Sequence, residues 1–207
     1  QHGRLPGHAP SLRKSGSTLE ISLPEAFRQS EMRGRRGIVI LGDPGAGKTT
    51  HLKRLLLYCL RKGIETIGLP EGMLPVFLPL RELRDLGRGL DAFIQEQLDS
   101  PNLKTPEGFG ERLLKRGRLL FLLDGLDEVA DLSQREQVVK WIIDGLQSHP
   151  TCRFVVTCRF AGYSPSVRLN EDFLEMHIRP LSAEQAEAFV RNWYRIVETG
   201  LQDDRPR

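Results

Sequence analysis

The residues Gly42-Asp43-Pro44-Gly45-Ala46-Gly47-Lys48-Thr49 have the types and spacing of a phosphate-binding loop, G-x-x-x-x-G-K-[ST]. Glycines without a Cβ let the backbone turn its N–H groups inward around a phosphate. A helix opening at Gly47 aims its first N–H groups and its positive dipole end at the same anion. Lys48 supplies a point charge for β- and γ-phosphates, and the Thr49 hydroxyl can ligate magnesium. Thr50 completes the expected contact set. The context agrees with the motif: an apolar run precedes the loop and a helical pattern follows it.

A second constellation lies downstream. Leu119-Leu120-Phe121-Leu122-Leu123 is an apolar strand that ends in Asp124, followed by Gly125-Leu126-Asp127-Glu128. In a parallel sheet the carboxyl end of a strand opens onto the ligand crevice, which puts Asp124 beside the phosphate loop. Its expected role is to hold magnesium, directly or through a water. A further carboxylate near the γ-phosphate can polarise an attacking water; Glu128 is the choice for that base, with Asp127 its close rival. Phe154-Val155-Val156-Thr157-Cys158-Arg159 is another apolar strand ending in polar residues. Arg159 at its end is positioned to bond the γ-phosphate and report its presence, or to serve only a surface salt bridge.

These groups need a scaffold, and the hydrophobic pattern supplies one. Strands are expected at Gly37 to Leu41, Pro75 to Leu80, Arg118 to Leu123, Arg153 to Thr157 and Met176 to Ile178. Pro79 places the second at a sheet edge or ends it there. Helices are expected from Gly47 to Arg61, Leu90 to Leu98 and Pro106 to Arg116, the last capped by Thr105. Ser133-Gln134-Arg135-Glu136 has the form of a capping box opening a helix through Leu146. Strands separated by helices at this rhythm imply right-handed crossovers and a mostly parallel sheet. A second capping box, Ser182-Ala183-Glu184-Gln185, opens a helix whose apolar stripe is Ala186, Phe189, Val190, Trp193, Ile196 and Val197. That stripe either packs back on the sheet or belongs to a further helical domain.

The chain has 207 residues, 39% hydrophobic and 28% charged, enough for one sizeable domain with a real core. Its apolar runs fall far short of the roughly 18 residues that span a bilayer, and no signal peptide is visible. Cys59, Cys152 and Cys158 lie in apolar segments without metal-like spacing and are expected to be reduced core residues. A net charge of +3 does not by itself imply a nucleic-acid partner. Arg33-Gly34-Arg35-Arg36 is expected to be a solvated turn before a buried strand, with contact to an acidic partner or phosphate as the alternative.

The set GDPGAGKTT, PVFLPLREL, LLFLLDGLDEV, FVVTCRF and RPLSAEQAEAFVRNWY is similar to the NACHT family of STAND NTPases. These are NLR-like nucleotide switches of animal innate immunity and of bacterial signalling and defence, and the chain is expected on the bacterial side. The most specific match is the Walker B form, with glycine after the first aspartate and an acidic pair three residues on, here Asp124, Gly125, Asp127 and Glu128. The resemblance implies an α/β P-loop NTPase sandwich of three layers around a parallel sheet of about five strands. It implies the additional-strand order, in which the strand ending at Thr157 separates the Walker A and Walker B strands.

The expected divisions are a flexible leader at 1–18, the NTPase domain at 19–180 and the start of a helical domain at 181–207. The implied ligands are ATP or ADP with Mg2+. Implied partners are the helical, winged-helix and sensor-repeat domains of a longer cytoplasmic protein, with self-assembly in that full-length form. Cys158 replaces a serine common in the family's Thr-Ser-Arg segment, which leaves the arginine's role intact.

Three other readings compete. A GTP-dependent switch lacks an Asn/Thr-Lys-x-Asp guanine-reading motif. A P-loop kinase needs lid arginines, for which Arg159, Arg81 and Arg84 are the candidates. A nucleic-acid motor is disfavoured by modest charge and the lack of interleaved basic and aromatic patches.

Overall fold

The computed structural model describes residues 21–83, 85–99 and 104–203, with side chains as far as 195. The expected leader, Arg84 and the side chains of Ile196 and Val197 lie outside the described residues. The strands are β1 (Gly37–Gly42), β2 (Leu74–Pro79), β3 (Leu119–Asp124), β4 (Arg153–Arg159) and β5 (Phe173–His177). Between and around them run α1 (Leu23–Met32), α2 (Lys48–Lys62), α3 (Leu90–Leu98), α4 (Phe109–Arg116), α5 (Leu132–Ser148) and α6 (Ala183–Asp203).

The five strands form one parallel sheet in the order β2-β3-β4-β1-β5. β4 therefore lies between β1 and β3, the additional-strand order that the resemblance implied. β2 is an edge strand, where the missing N–H groups of Pro75 and Pro79 cost no ladder bond on the free side. The register aligns the carboxyl ends: Gly42 stands opposite Arg159, and Pro79 opposite Asp124.

Period-two alternation divides the sheet between two cores. Val39, Leu41, Phe121, Leu123, Phe154 and Val156 face α3, α4 and α5. Ile38, Ile40, Leu120, Leu122 and Val155 face α1 and α2. All of β3 from Leu119 to Leu123 is inaccessible to solvent, and each such side chain contributes about 1.5–3 kcal/mol of transfer free energy. That burial fixes where Asp124 leaves the core.

Several boundaries differ from the sequence expectation, each for a local reason. β3 starts at Leu119 because Arg118 adopts a left-handed backbone with φ 59°. α4 starts at Phe109 with Gly108 as its cap, not at Pro106. Thr105 is engaged elsewhere: its hydroxyl donates to Asp99 Oδ1 at 2.5 Å and accepts from the Gln95 amide, tying it to α3. α5 is capped by Asp131, whose carboxylate accepts from the Gln134 N–H at 2.8 Å, so Ser133 falls inside the first turn. β5 runs from Phe173 to His177, upstream of the expected Met176 to Ile178, because its ladder with β1 begins with Phe173 opposite Gly37; the absent Cβ of Gly37 leaves room for the Phe173 ring.

The arginine turn is less solvated than expected. Arg35 donates to the Phe173 carbonyl at 3.3 Å and Arg36 to the Leu146 carbonyl at 2.5 Å, at the amino ends of the strands. The capping box of α6 is present in both directions: Gln185 N–H donates to Ser182 Oγ at 3.2 Å, and Ser182 N–H to Gln185 Oε1 at 3.0 Å. Among the described residues, the large side chains of its stripe do not pack on the sheet. Phe189 is 62% exposed and Trp193 53%, with Val190 and Tyr194 also open. Among the described residues, no helix is long and apolar enough to cross a membrane.

Candidate functional site

β1 runs out at Gly42, and the chain crosses five loop residues before α2 begins at Lys48. Gly47, the helix cap, has φ 81° and ψ 20°, a left-handed conformation open to glycine. No side chain caps this helix. Its first intrahelical bond is His51 N–H to Gly47 carbonyl at 2.8 Å. The N–H groups of Lys48, Thr49 and Thr50 precede that bond and stand at the positive end of the helix dipole. Lys48 Nζ folds back over the loop and donates to the carbonyls of Gly42 at 2.9 Å and Asp43 at 3.0 Å. The ammonium is thereby held at the mouth of the helix.

Asp124 leaves the end of β3 almost fully buried, at 2% exposure. Its Oδ1 accepts from Thr157 Oγ1 at 2.7 Å, and the same hydroxyl accepts from Gly125 N–H at 2.8 Å. Thr157 thus uses its donor on the carboxylate and its acceptor on the backbone of the next residue. Oδ2 of Asp124 has no protein donor among the described residues.

The turn Leu126–Glu128 then presents the acidic pair. Asp127 accepts from Arg159 N–H at 2.8 Å and lies 3.0 Å from Arg159 Nε. Glu128 meets Arg81 of the short turn after β2 at 3.1 Å. Its carboxylate holds the Arg81 guanidinium above its ordinary pKa, chiefly through that hydrogen bond. Gly125 has φ 79°, a conformation open to glycine, and a Cβ there would sit 2.8 Å from the Glu128 carboxyl carbon and push that side chain aside. Cys158, beside Asp127, is a thiol pushed up to about 12 by burial first and by the Asp127 charge second.

All of these side chains except those of Arg81 and Cys158 border one open cleft of about 280 Å³ at the carboxyl ends of β1, β3 and β4. Gly45, Gly47, Lys48, Thr49 and Thr50 meet Asp124, Asp127, Glu128 and Arg159 there. Of the residues singled out in the sequence, Gly42, Asp43, Pro44 and Ala46 shape the loop without lining the cleft. Thr157 is not among the site residues that the sequence points to, although a hydroxyl ending an apolar strand is a signal for it. Arg81 is a sequence candidate only as a kinase-lid arginine, and its pairing with Glu128 has no sequence signal.

The residues fit a polyphosphate with magnesium. An uncapped helix end and a lysine suit the anion, and one hydroxyl with one carboxylate suits a cation that keeps several waters. The fold and this cleft define a nucleotide-binding P-loop NTPase module. The chain matches the NACHT domain over residues 36–196 and belongs to that family. No curated protein matches it. Among solved structures it is similar to the Orc1 protein of Aeropyrum pernix, solved in complex with DNA. That likeness has 22% identity and a TM-score of 0.51, over 81% of this chain and 47% of that one. It is also similar to Cdc6p from Pyrobaculum aerophilum, at 17% identity and TM-score 0.45, over 85% of this chain and 51% of that one. The chain thus spans about half the length of these structures. At such identity the Orc1 likeness speaks for the fold alone.

Proposed function

We propose that the chain is the ATP-binding, slowly hydrolysing switch module of a larger STAND-type signalling or defence protein. The observation that carries this reading is the convergence of Lys48, Thr49, Asp124, Glu128 and Arg159 on one cleft from three strand ends. The helix end and Lys48 bind the β- and γ-phosphates. Thr49 and Asp124 hold magnesium, with Thr157 fixing the carboxylate through its 2.7 Å bond. Magnesium, when bound, supplies neutralisation of phosphate charge. Glu128 borders the cleft and is the general base that accepts a proton from water. Arg159 reads whether the γ-phosphate is present.

Slow turnover is consistent with Glu128 being engaged by Arg81. That pairing also gives Arg81 a role other than a kinase lid. The NTPase domain extends over 19–180, and 181–207 begins a helical domain; the separately capped α6 and its uncovered apolar side chains support the division. In this reading nucleotide state controls assembly of the full-length cytoplasmic protein. Calorimetry with ATP, ADP and GTP in magnesium, followed by steady-state turnover, tests the proposal. ATP and ADP should bind, GTP should not compete, and Glu128→Gln should retain ATP while losing hydrolysis. Preferential GTP binding, or undiminished hydrolysis by Glu128→Gln, would refute it.

A further inference from the structure

The two adjacent acids after β3 have different surroundings, although the sequence alone makes them near equals. The Asp127 side chain is only 10% exposed. Its Oδ1 accepts the backbone N–H of Arg159 at 2.8 Å, and its Oδ2 makes an ion-pair contact with Nε of the same residue at 3.0 Å. One carboxylate thus meets one arginine twice, by a backbone hydrogen bond and by charge pairing. The packing is close on the other side as well: a Cβ on Gly162 would stand 2.5 Å from the Asp127 Cβ. Glu128, at 34% exposure, has a single oxygen paired with Arg81.

A general base needs a lone pair within reach of the water it deprotonates. Each Asp127 oxygen already meets Arg159, whereas one Glu128 oxygen has no hydrogen-bond partner among the described residues. The arginine, for its part, spends only Nε and its backbone N–H on Asp127. Its terminal Nη1 and Nη2 have no hydrogen-bond partner among the described residues, while the side chain lines the cleft. A guanidinium drawn to a carboxylate on its Nε side has less freedom to lose when its terminal nitrogens meet an anion.

We propose that Asp127 is a positioning residue. It holds Arg159 by the backbone N–H bond and by charge pairing on the Nε side, so that the two terminal nitrogens stay available to a γ-phosphate. Asp127 thereby sets the discrimination between nucleoside triphosphate and diphosphate, and takes no part in water activation. The inference rests on the ATP-site reading above and deepens it.

The test is calorimetric affinity for ATP and for ADP, each with magnesium, alongside single-turnover hydrolysis. The proteins are the parent chain, Asp127→Asn, Arg159→Ala and the double variant. Asp127→Asn keeps the shape and an acceptor for the backbone N–H while removing the charge that holds Nε. Its ATP affinity should fall about three- to tenfold with ADP affinity unchanged, and the double variant should bind ATP no worse than Arg159→Ala alone. Arg159→Lys, which keeps the charge but lacks Nε, should show the same selective loss and serves if Asp127→Asn folds poorly. Hydrolysis abolished in Asp127→Asn at an unchanged ATP-to-ADP ratio would make Asp127 the base and overturn the proposal. Additive losses in the double variant would overturn it too. If the parent chain binds neither nucleotide, the ATP-site reading itself fails and this inference falls with it.

Discussion

Thr157 Oγ1 and Asp124 Oδ1 are 2.7 Å apart across the junction of β3 and β4, in a bond sealed from solvent. One hydroxyl serves both the carboxylate and the Gly125 N–H, so the strand inserted between the two nucleotide-binding strands sets the aim of Asp124.

Thr157→Val should therefore leave a buried acceptor and a buried N–H without partners, at a cost of about 1–3 kcal/mol. Thr157→Ser, which keeps the hydroxyl, should lose much less. Urea unfolding of the three proteins measures the stability difference, and magnesium-dependent ATP binding should follow the same order. Equal stability of Thr157→Val and the parent would contradict the role given to this bond.

Gly125→Ala combines a left-handed backbone with a Cβ placed against the Glu128 side chain. Strain of this kind costs about 1–3 kcal/mol. The displaced glutamate should also slow hydrolysis more than it weakens ATP binding. A fall in affinity at unchanged turnover would show that Glu128 does not depend on this glycine.

The phosphate loop was legible in the sequence because each of its residues answers a local chemical need, so spacing alone carries it. The sheet order was not readable from periodicity; it came with the family resemblance, since strands with similar apolar faces can be shuffled without changing the pattern. Arg81 pairs with Glu128 across 47 residues of chain, and no local rule links them. Thr157 was hidden by its own chemistry, because a β-branched residue suits a buried strand whether or not its hydroxyl has work to do. Asp131 displaced Ser133 as a helix cap because two good capping residues lay within one turn, and spacing does not rank them.

Burial raises the thiols of Cys59 to about 11 and Cys158 to about 12 from an ordinary 9.0. These groups stay protonated in the folded chain at pH values where the unfolded chain has lost the proton. The unfolded state binds fewer protons in that window, so stability should fall as pH rises from about 9 towards 12. Urea midpoints at pH 8 and pH 10.5 measure the fall, and Cys158→Ala should show a smaller one. An identical fall in Cys158→Ala would mean that this thiol is not a source of alkaline lability.

The central claim is that Lys48 and the open end of α2 hold nucleotide phosphates, and ATP affinity in Lys48→Ala tests it most directly. Calorimetry with magnesium should show binding weakened at least tenfold, a loss of about 1.4 kcal/mol or more. Circular dichroism and the thermal midpoint without nucleotide should match the parent, because the exchanged bonds reach only the carbonyls of Gly42 and Asp43. ATP affinity unchanged in a folded Lys48→Ala protein would contradict the account.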